Sequence, residues 1–406
     1  MAAALALILA IVGGVVGLIV ILCLVYLCRW LRKQLALSAK ALEAKQDKIK
    51  DAHTSLTDCS YPMSLIKFSD FTQYSYIPKH EEARANGHLC MLDTYQMIKK
   101  FTGEKTVVFI SHQWLGFKKP DENNHHYKAM VSALEEILKL RELNPHELYL
   151  WVDYTSIPQD NHHLQKLSIQ SLAIYASSVS AFVIIAPPVD HTDSGKPCNT
   201  STYQGRGWCR LEQWAKIASG NIDGIYLYDG STSSQLSVLQ PIKADENWFR
   251  DSVNVYGGNF TDESDKSKLI DTVLGLWSAT IEMSKKVRIT DEGIITPSIS
   301  TDFVMRMGSE HRDVVFPKKY FGDMIEILEA MWSSGELKSV SKSQISKSKS
   351  NLSPSPSKST RSLRSASKYK ASSVSPAPSF SCAQGMRGGQ GVRRGEGAHL
   401  TPRMYP

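Results

Sequence analysis

The chain has 406 residues, 42% hydrophobic and 21% charged, ordinary proportions for a globular protein of one or two domains. Its net charge of +7 is unevenly placed, because residues 337–406 hold thirteen Lys plus Arg against one acidic residue and leave 34 against 39 before them. A mildly acidic folded part gives no support to nucleic-acid binding, and seven scattered cysteines with no Cys-x-x-Cys pair argue against a disulfide framework or a zinc site and fit a reducing compartment.

Residues 1–28 read as a transmembrane signal-anchor helix, uncharged from Ala2 to Cys28. A cleavable signal peptide is disfavoured by the length of the run and by the lack of a basic residue before it. Arg29, Arg32 and Lys33 follow at once, so the positive-inside rule places the remainder in the cytoplasm and predicts that the sequons at Asn199 and Asn259 stay unglycosylated. Gly13 and Gly17 have the spacing that lets two helices approach, although glycine is also common in membrane helices generally. Cys28 lies where palmitoylation occurs. Residues 29–59 read as a polar helical stalk, with a short coiled coil as the alternative.

Residues 60–293 form the expected cytosolic domain. Its lead-in segment carries an Asn86-Gly87 turn and an apolar stripe through Leu92, Tyr95 and Ile98 that predicts a helix. Three nearly continuous runs of β-branched, aromatic and apolar residues follow, at 106–110, 148–153 and 181–186, with helix-patterned sequence between them. That is the pattern of a parallel sheet covered on both faces, an α/β fold. Apolar residues at Tyr127, Met130, Leu134, Ile137 and Leu138 mark the first intervening helix, and Leu164, Leu167, Leu172 and Tyr175 the second. A helix is expected from Trp208 to Ser219, ended by Gly220, then a fourth strand at 225–228. Residues 236–258 fit no clear element. Amphipathic helices are expected at 266–283 and 321–331, the latter inside a C-terminal helical extension, 294–336. The tail, 337–406, is rich in Ser, Lys and Arg and too poor in apolar residues to fold. Its Ser353-Pro354, Ser355-Pro356 and Ser375-Pro376 pairs, and Ser367 three residues after Arg364, are candidate phosphorylation sites that would tune attraction to anionic lipid; the alternative is a solvated tail with incidental sites.

In such sheets ligands sit beyond the carboxyl ends of the strands. Ser111, His112 and Trp114 leave the first strand there and Asp153 ends the second, with the helix from Trp208 facing them. No glycine-rich loop follows the first strand, which disfavours classical dinucleotide and P-loop binding.

Trp208-Cys209 with Glu212, in this order of elements, resembles the Toll/interleukin-1 receptor (TIR) domain, whose helix after the third strand commonly begins Trp-Cys-x-x-Glu. The resemblance covers roughly residues 105–285. Trp151-Val152-Asp153 with Ile157-Pro158-Gln159, then Arg206-Gly207-Trp208 with Glu212, is also similar to the fungal heterokaryon-incompatibility domain, itself TIR-like. Both imply a flavodoxin-like sheet with helices on both faces. In catalytic TIR domains this glutamate helps cleave the nicotinamide–ribose bond of NAD, so the resemblance implies NAD as substrate, Glu212 as catalytic residue and no resident cofactor. It also implies self-association or pairing with other TIR-type domains. The chain departs from common TIR patterns at Arg206, where serine is frequent, at Gln213, where leucine is frequent, and in the loop 154–160.

Each candidate has a plainer alternative. Glu212 can be a surface residue pairing with Arg210 or Lys216. Asp153, placed to bond ribose hydroxyls, can be a turn or cap residue. Trp114 can stack on a nucleotide ring or pack on the following helix. Ser111, His112 and Trp208 complete the expected substrate contacts. Cys209 reads as a small buried side chain rather than a nucleophile. The His125-His126 and His162-His163 pairs lack metal-ligand spacing and read as exposed loop residues. Non-catalytic scaffolding and nucleotide sensing without turnover are the competing functions.

Overall fold

The computed structural model describes residues 1–218, 224–230, 237–238, 246–285, 288–289, 295–296 and 299–338. The expected stop at Gly220 and the candidate sites of the tail lie outside them. In chain order the principal elements are α1 (Ala2–Ser55), β1 (Met63–Lys67), β2 (Leu89–Leu92), α2 (Tyr95–Glu104), β3 (Thr106–His112), α3 (His125–Leu140), β4 (Leu148–Val152), α4 (His162–Gln170), α5 (Leu172–Ser178), β5 (Ala181–Ile185), α6 (Thr200–Gln204), α7 (Gly207–Ala218), β6 (Ile225–Tyr228), β7 (Ser237–Val238), α8 (Ile270–Lys285), α9 (Ile299–Glu310) and α10 (Met324–Ser334).

One seven-stranded sheet has the order β2-β1-β4-β3-β5-β6-β7. β4, β3, β5 and β6 are parallel neighbours, so the parallel part runs second, first, third, fourth in chain order. The chain therefore reverses its direction of travel across the sheet between β3 and β5, and doubly wound sheets bind ligands at the carboxyl ends of such a switch point. The expected parallel sheet is only its centre. β1 and β2 extend the β4 edge as an antiparallel pair, and β7 is antiparallel to β6.

Two-sided burial explains the unbroken apolar runs. Val107, Phe109, Trp151, Phe182 and Ile184 face a core shared with α5, α7, α8 and α10. Val108, Ile110, Leu150, Val152, Val183 and Ile185 face a second core closed by α3. Phe109 stacks between Trp151 and Phe182, with centroids 4.1 and 5.1 Å away.

Several elements differ from the sequence reading. Residues 89–92 are a strand, and the helix expected there starts at Tyr95, where the Thr94 side chain accepts from the Met97 amide. The single helix expected through 164–175 breaks at Ser171, whose hydroxyl accepts from the Ser60 and Tyr61 amides. In the unassigned region, Ser237–Val238 is a strand and Glu246–Val253 a helix. Gly87 does make its turn, at a φ of +72°.

The largest difference concerns the stalk. α1 is one helix of 54 residues, about 80 Å long. Its N-terminal part is long and apolar enough to cross a membrane. Its last turns, however, belong to the domain: Ile49, Ala52 and His53 are buried, and His53 Nδ1 lies 3.0 Å from Ser278 Oγ, which accepts from Trp332 Nε1 at 2.8 Å. Lys45, Lys48 and Lys50 pair with Asp323, Asp271 and Glu336. The helical extension expected at 294–336 likewise joins the main core through Val304, Met307, Leu328 and Met331.

The docking depends on a bare backbone in α8. A Cβ on Gly275 would stand 2.7 Å from the Ala52 carbonyl oxygen and 3.2 Å from Leu56 Cγ. Gly275→Val should therefore push α1 off α8 and lower stability by about 1–3 kcal/mol, read as a lower unfolding midpoint of the full chain. An unchanged midpoint would show that α1 is not held by this contact.

Candidate functional site

Period-two alternation decides where β3 delivers its last two residues. Ser111 continues the face of Val107 and Phe109, toward α7, and His112 continues the face of Val108 and Ile110, toward α3. Two hydrogen-bonded groups result, one on each side of the sheet end.

On the α7 side, Ser111 Oγ donates to Glu212 Oε2 and lies 2.6 Å from the Tyr203 hydroxyl. Tyr203 comes from α6, a short helix set by a capping box between Asn199 and Thr202. Gln113 Nε2 donates to Thr202 Oγ1 at 3.0 Å and so ties α6 to the end of β3. α7 itself is buried along its whole length. Its polar residues are therefore all obliged to find partners. Arg210 donates to the Gln204 and Asn254 carbonyls, Lys216 to the Val179 carbonyl, and Gln213 exchanges amide bonds with Gln204 while accepting from Ser252. Neither Arg210 nor Lys216 is thus Glu212's partner, and Glu212, 6% exposed, is not a surface residue. The buried Gln213 amide is satisfied by Gln204 and Ser252.

Gly207 opens α7 against the segment 258–260. A Cβ on Gly207 would stand 1.9 Å from the Phe260 ring, and a Cβ on Gly258 would stand 2.5 Å from Gly207 itself. The backbone bonds Gly207 N to Asn259 O and Asn259 N to Gly205 O complete this close approach. Trp208 packs edge-on against Phe260, with centroids 6.1 Å apart, so its ring is part of this joint.

On the α3 side, His112 Nε2 lies 3.0 Å from Asp153 Oδ1 and His112 Nδ1 lies 3.0 Å from His126 Nδ1. Asp153 also accepts from Trp114 Nε1 at 2.7 Å and from the Tyr154 amide at 2.6 Å. His126 corrects the reading of the histidine pairs. His125 is exposed, but His126 is fully buried in the first turn of α3, whose leading amides are capped by Asp121 rather than by Asn124. Only the helix phase could have singled it out, since its neighbour Tyr127 begins the apolar face. His162 and His163 are exposed at the start of α4.

The two groups have opposite electrostatics. Burial pushes the Glu212 carboxyl up to about 8, and the charge of Asp153 adds to that, against the opposing Ser111 hydrogen bond and Arg206 charge. Burial would also raise Asp153, but the charge and hydrogen bond of His112, with the bonds from Trp114 and Tyr154, outweigh it and hold Asp153 below its ordinary value. Burial pushes the His126 imidazole well below its ordinary range, with the charges of His112 and His125 acting in the same direction. Burial likewise raises the Cys209 thiol far above neutrality, which leaves it without nucleophilic thiolate. No group of three or more His, Cys, Asp or Glu side chains is arranged for a metal ion among the described residues.

The structure thus brings Ser111 to Glu212, and His112 and Trp114 to Asp153, whereas Trp208 sits in the joint with Phe260. Tyr203 and His126 complete the two groups and carry no motif that points to them.

Because its carboxyl titrates near 8 when folded against 4.5 ordinarily, Glu212 binds a proton more readily in the folded chain, and its contribution makes stability fall as pH rises from about 4.5 to 8. Glu212→Gln should therefore stabilise the protein most near pH 9, by on the order of 1–3 kcal/mol, and hardly at all near pH 4. Thermal unfolding of both forms across this range tests the sign, and a gain that is equal at both ends would exclude it. No family model, curated protein or solved structure matches this chain.

Proposed function

We propose that this is a membrane-anchored, single-pass signalling protein with a cytosolic TIR-like domain that hydrolyses NAD through Glu212. The observation that carries the reading is the position of the Glu212 carboxyl. It is held on Ser111 at the carboxyl end of β3, a strand of the β3/β5 switch point, and doubly wound sheets bind ligands at such ends. The second-first-third-fourth order of the parallel strands supports a flavodoxin-like, TIR-type sheet, and the basic residues just after the apolar part of α1 support a cytosolic domain.

In the proposed reaction the bond between nicotinamide and the ribose carbon breaks with its electron pair going to the pyridinium nitrogen. Nicotinamide leaves neutral, and the ribose carbon gains oxocarbenium character until water adds and loses a proton. An ionised Glu212 stabilises that developing positive charge. Asp153 and Trp114, just beyond the carboxyl ends of β4 and β3, are buried and bound to each other, and a nucleotide that uses either must replace that bond. Anchoring in one membrane raises the local concentration of domains and favours association of copies.

A second reading has its own support. Ser111, Glu212, His112, Asp153 and Trp114 are all buried, Ser111 bonded to Glu212 and both His112 and Trp114 bonded to Asp153. A group closed in this way also suits a non-catalytic scaffold that pairs with a second copy or another TIR-type domain.

The deciding assay uses the full chain in liposomes, incubated with NAD and read for released nicotinamide. Release should rise with pH through about 8, as Glu212 ionises, and should drop about a hundredfold or more in Glu212→Gln. No release from protein that demonstrably self-associates would remove the hydrolase and leave the scaffold.

A further inference from the structure

Tyr203 is fully buried, and Ser111 is the partner of its hydroxyl among the described residues. Three oxygens therefore run in series, from the Tyr203 hydroxyl through Ser111 Oγ to Glu212 Oε2. Each hydroxyl has one hydrogen to give. If Ser111 gives its hydrogen to the carboxylate, Tyr203 must give its own to Ser111, and every hydrogen is used. If Glu212 is instead protonated on Oε2 and donates to Ser111, the Ser111 hydrogen turns to the Tyr203 oxygen. The Tyr203 hydrogen is then left in the core without an acceptor, which is costly. A proton on Oε1 leaves the chain standing but converts its end from a carboxylate into a neutral carbonyl, the weaker acceptor.

We propose that Tyr203 is a positioning residue that, through Ser111, orders this hydroxyl chain toward Glu212 and so favours its ionised form. The inference rests on the reading of Glu212 as the working carboxyl. Tyr203 does not itself exchange the proton, since burial raises its phenol well above the ordinary value. Its effect opposes burial, which favours the neutral acid. The other charged or titratable groups acting on Glu212 are Asp153 at the end of β4, Arg206 just before α7 and Cys209 on α7 itself. None of them lies in the chain of three oxygens.

The position of the phenol is well determined. α6 is pinned by its capping box, by Gln113 on Thr202 and by the pairing of Gly205 with Asn259. A ring held at both ends of its helix delivers the hydroxyl to one place.

The test needs no substrate. In the full chain in lipid nanodiscs, the carboxyl stretch of Glu212 is followed by infrared difference spectroscopy against pH and assigned by its loss in Glu212→Gln. Tyr203→Phe should raise the midpoint by about half to one pH unit. Ser111→Ala should raise it at least as far, and adding Tyr203→Phe to Ser111→Ala should change nothing more, because Tyr203 acts through Ser111. Replacing the Tyr203 ring with 3-fluorotyrosine, a stronger donor of similar shape, should lower the midpoint, a sign that a packing role does not produce. The fluorinated protein also decides the matter if Tyr203→Phe fails to fold. An unmoved midpoint in both Tyr203 variants, or a Tyr203→Phe shift that persists on the Ser111→Ala background, would overturn the proposal. If NAD is not cleaved at all, the hydrolase reading fails while this titration still stands or falls by itself.

Discussion

Burial of β3 on both faces is the constraint on which the rest depends. A strand with helices above and below must be apolar at nearly every position, and only its exit from the sheet can afford polar side chains. Ser111 and His112 occupy that exit. Because successive side chains point to opposite faces, they cannot serve one group. One goes to α7 and the other to α3. The sheet end thus carries two hydrogen-bonded carboxyl groups, Glu212 and Asp153, each with its own partners.

The two carboxyls show how partners decide chemistry. Asp153 has three donors in reach, His112, Trp114 and the Tyr154 amide, and with the charge that His112 contributes they hold it below its ordinary value despite burial. Glu212 has the Ser111 hydroxyl and the same loss of water, and its carboxyl is displaced the other way. α7 carries this tension along its length. It is a helix without an exposed face, and Arg210, Gln213 and Lys216 each spend their polar atoms on backbone or amide groups of neighbouring segments. Such a helix gains definition of position from bonds that only one placement satisfies.

α1 links this interior to whatever its apolar end enters. A flexible tether would leave the domain free to turn. Here the helix that leaves the apolar stretch is the one whose Ile49, Ala52 and His53 complete the core against α8 and α10. Its three lysine pairings are exposed and contribute little individually. The apolar contact and the His53–Ser278–Trp332 bonds carry the attachment. The orientation of the domain on α1 is consequently a property of packing rather than of a linker.

The sequence by itself determined the elements whose signal is local. The apolar runs of β3, β4 and β5, the amphipathic phase of α3, the turn at Gly87 and the long uncharged start of α1 all follow from periodicity and composition along a few residues. It also led to Ser111, Glu212, His112 and Asp153 as one neighbourhood, because strand ends in a parallel sheet share a rim. Tertiary structure alone decided the remainder. β1 and β2 are short and join the edge in the antiparallel sense, β1 against β4 and β2 against β1, pairings between segments distant in sequence that their own residues do not announce. The docking of α1 required a gap at Gly275, more than two hundred residues away. Tyr203 and His126 look like an ordinary loop tyrosine and half of a histidine pair until folding removes their water. A buried hydroxyl or imidazole must then bond to what lies beside it, and contacts between residues distant in sequence leave no period or spacing by which to read them in advance.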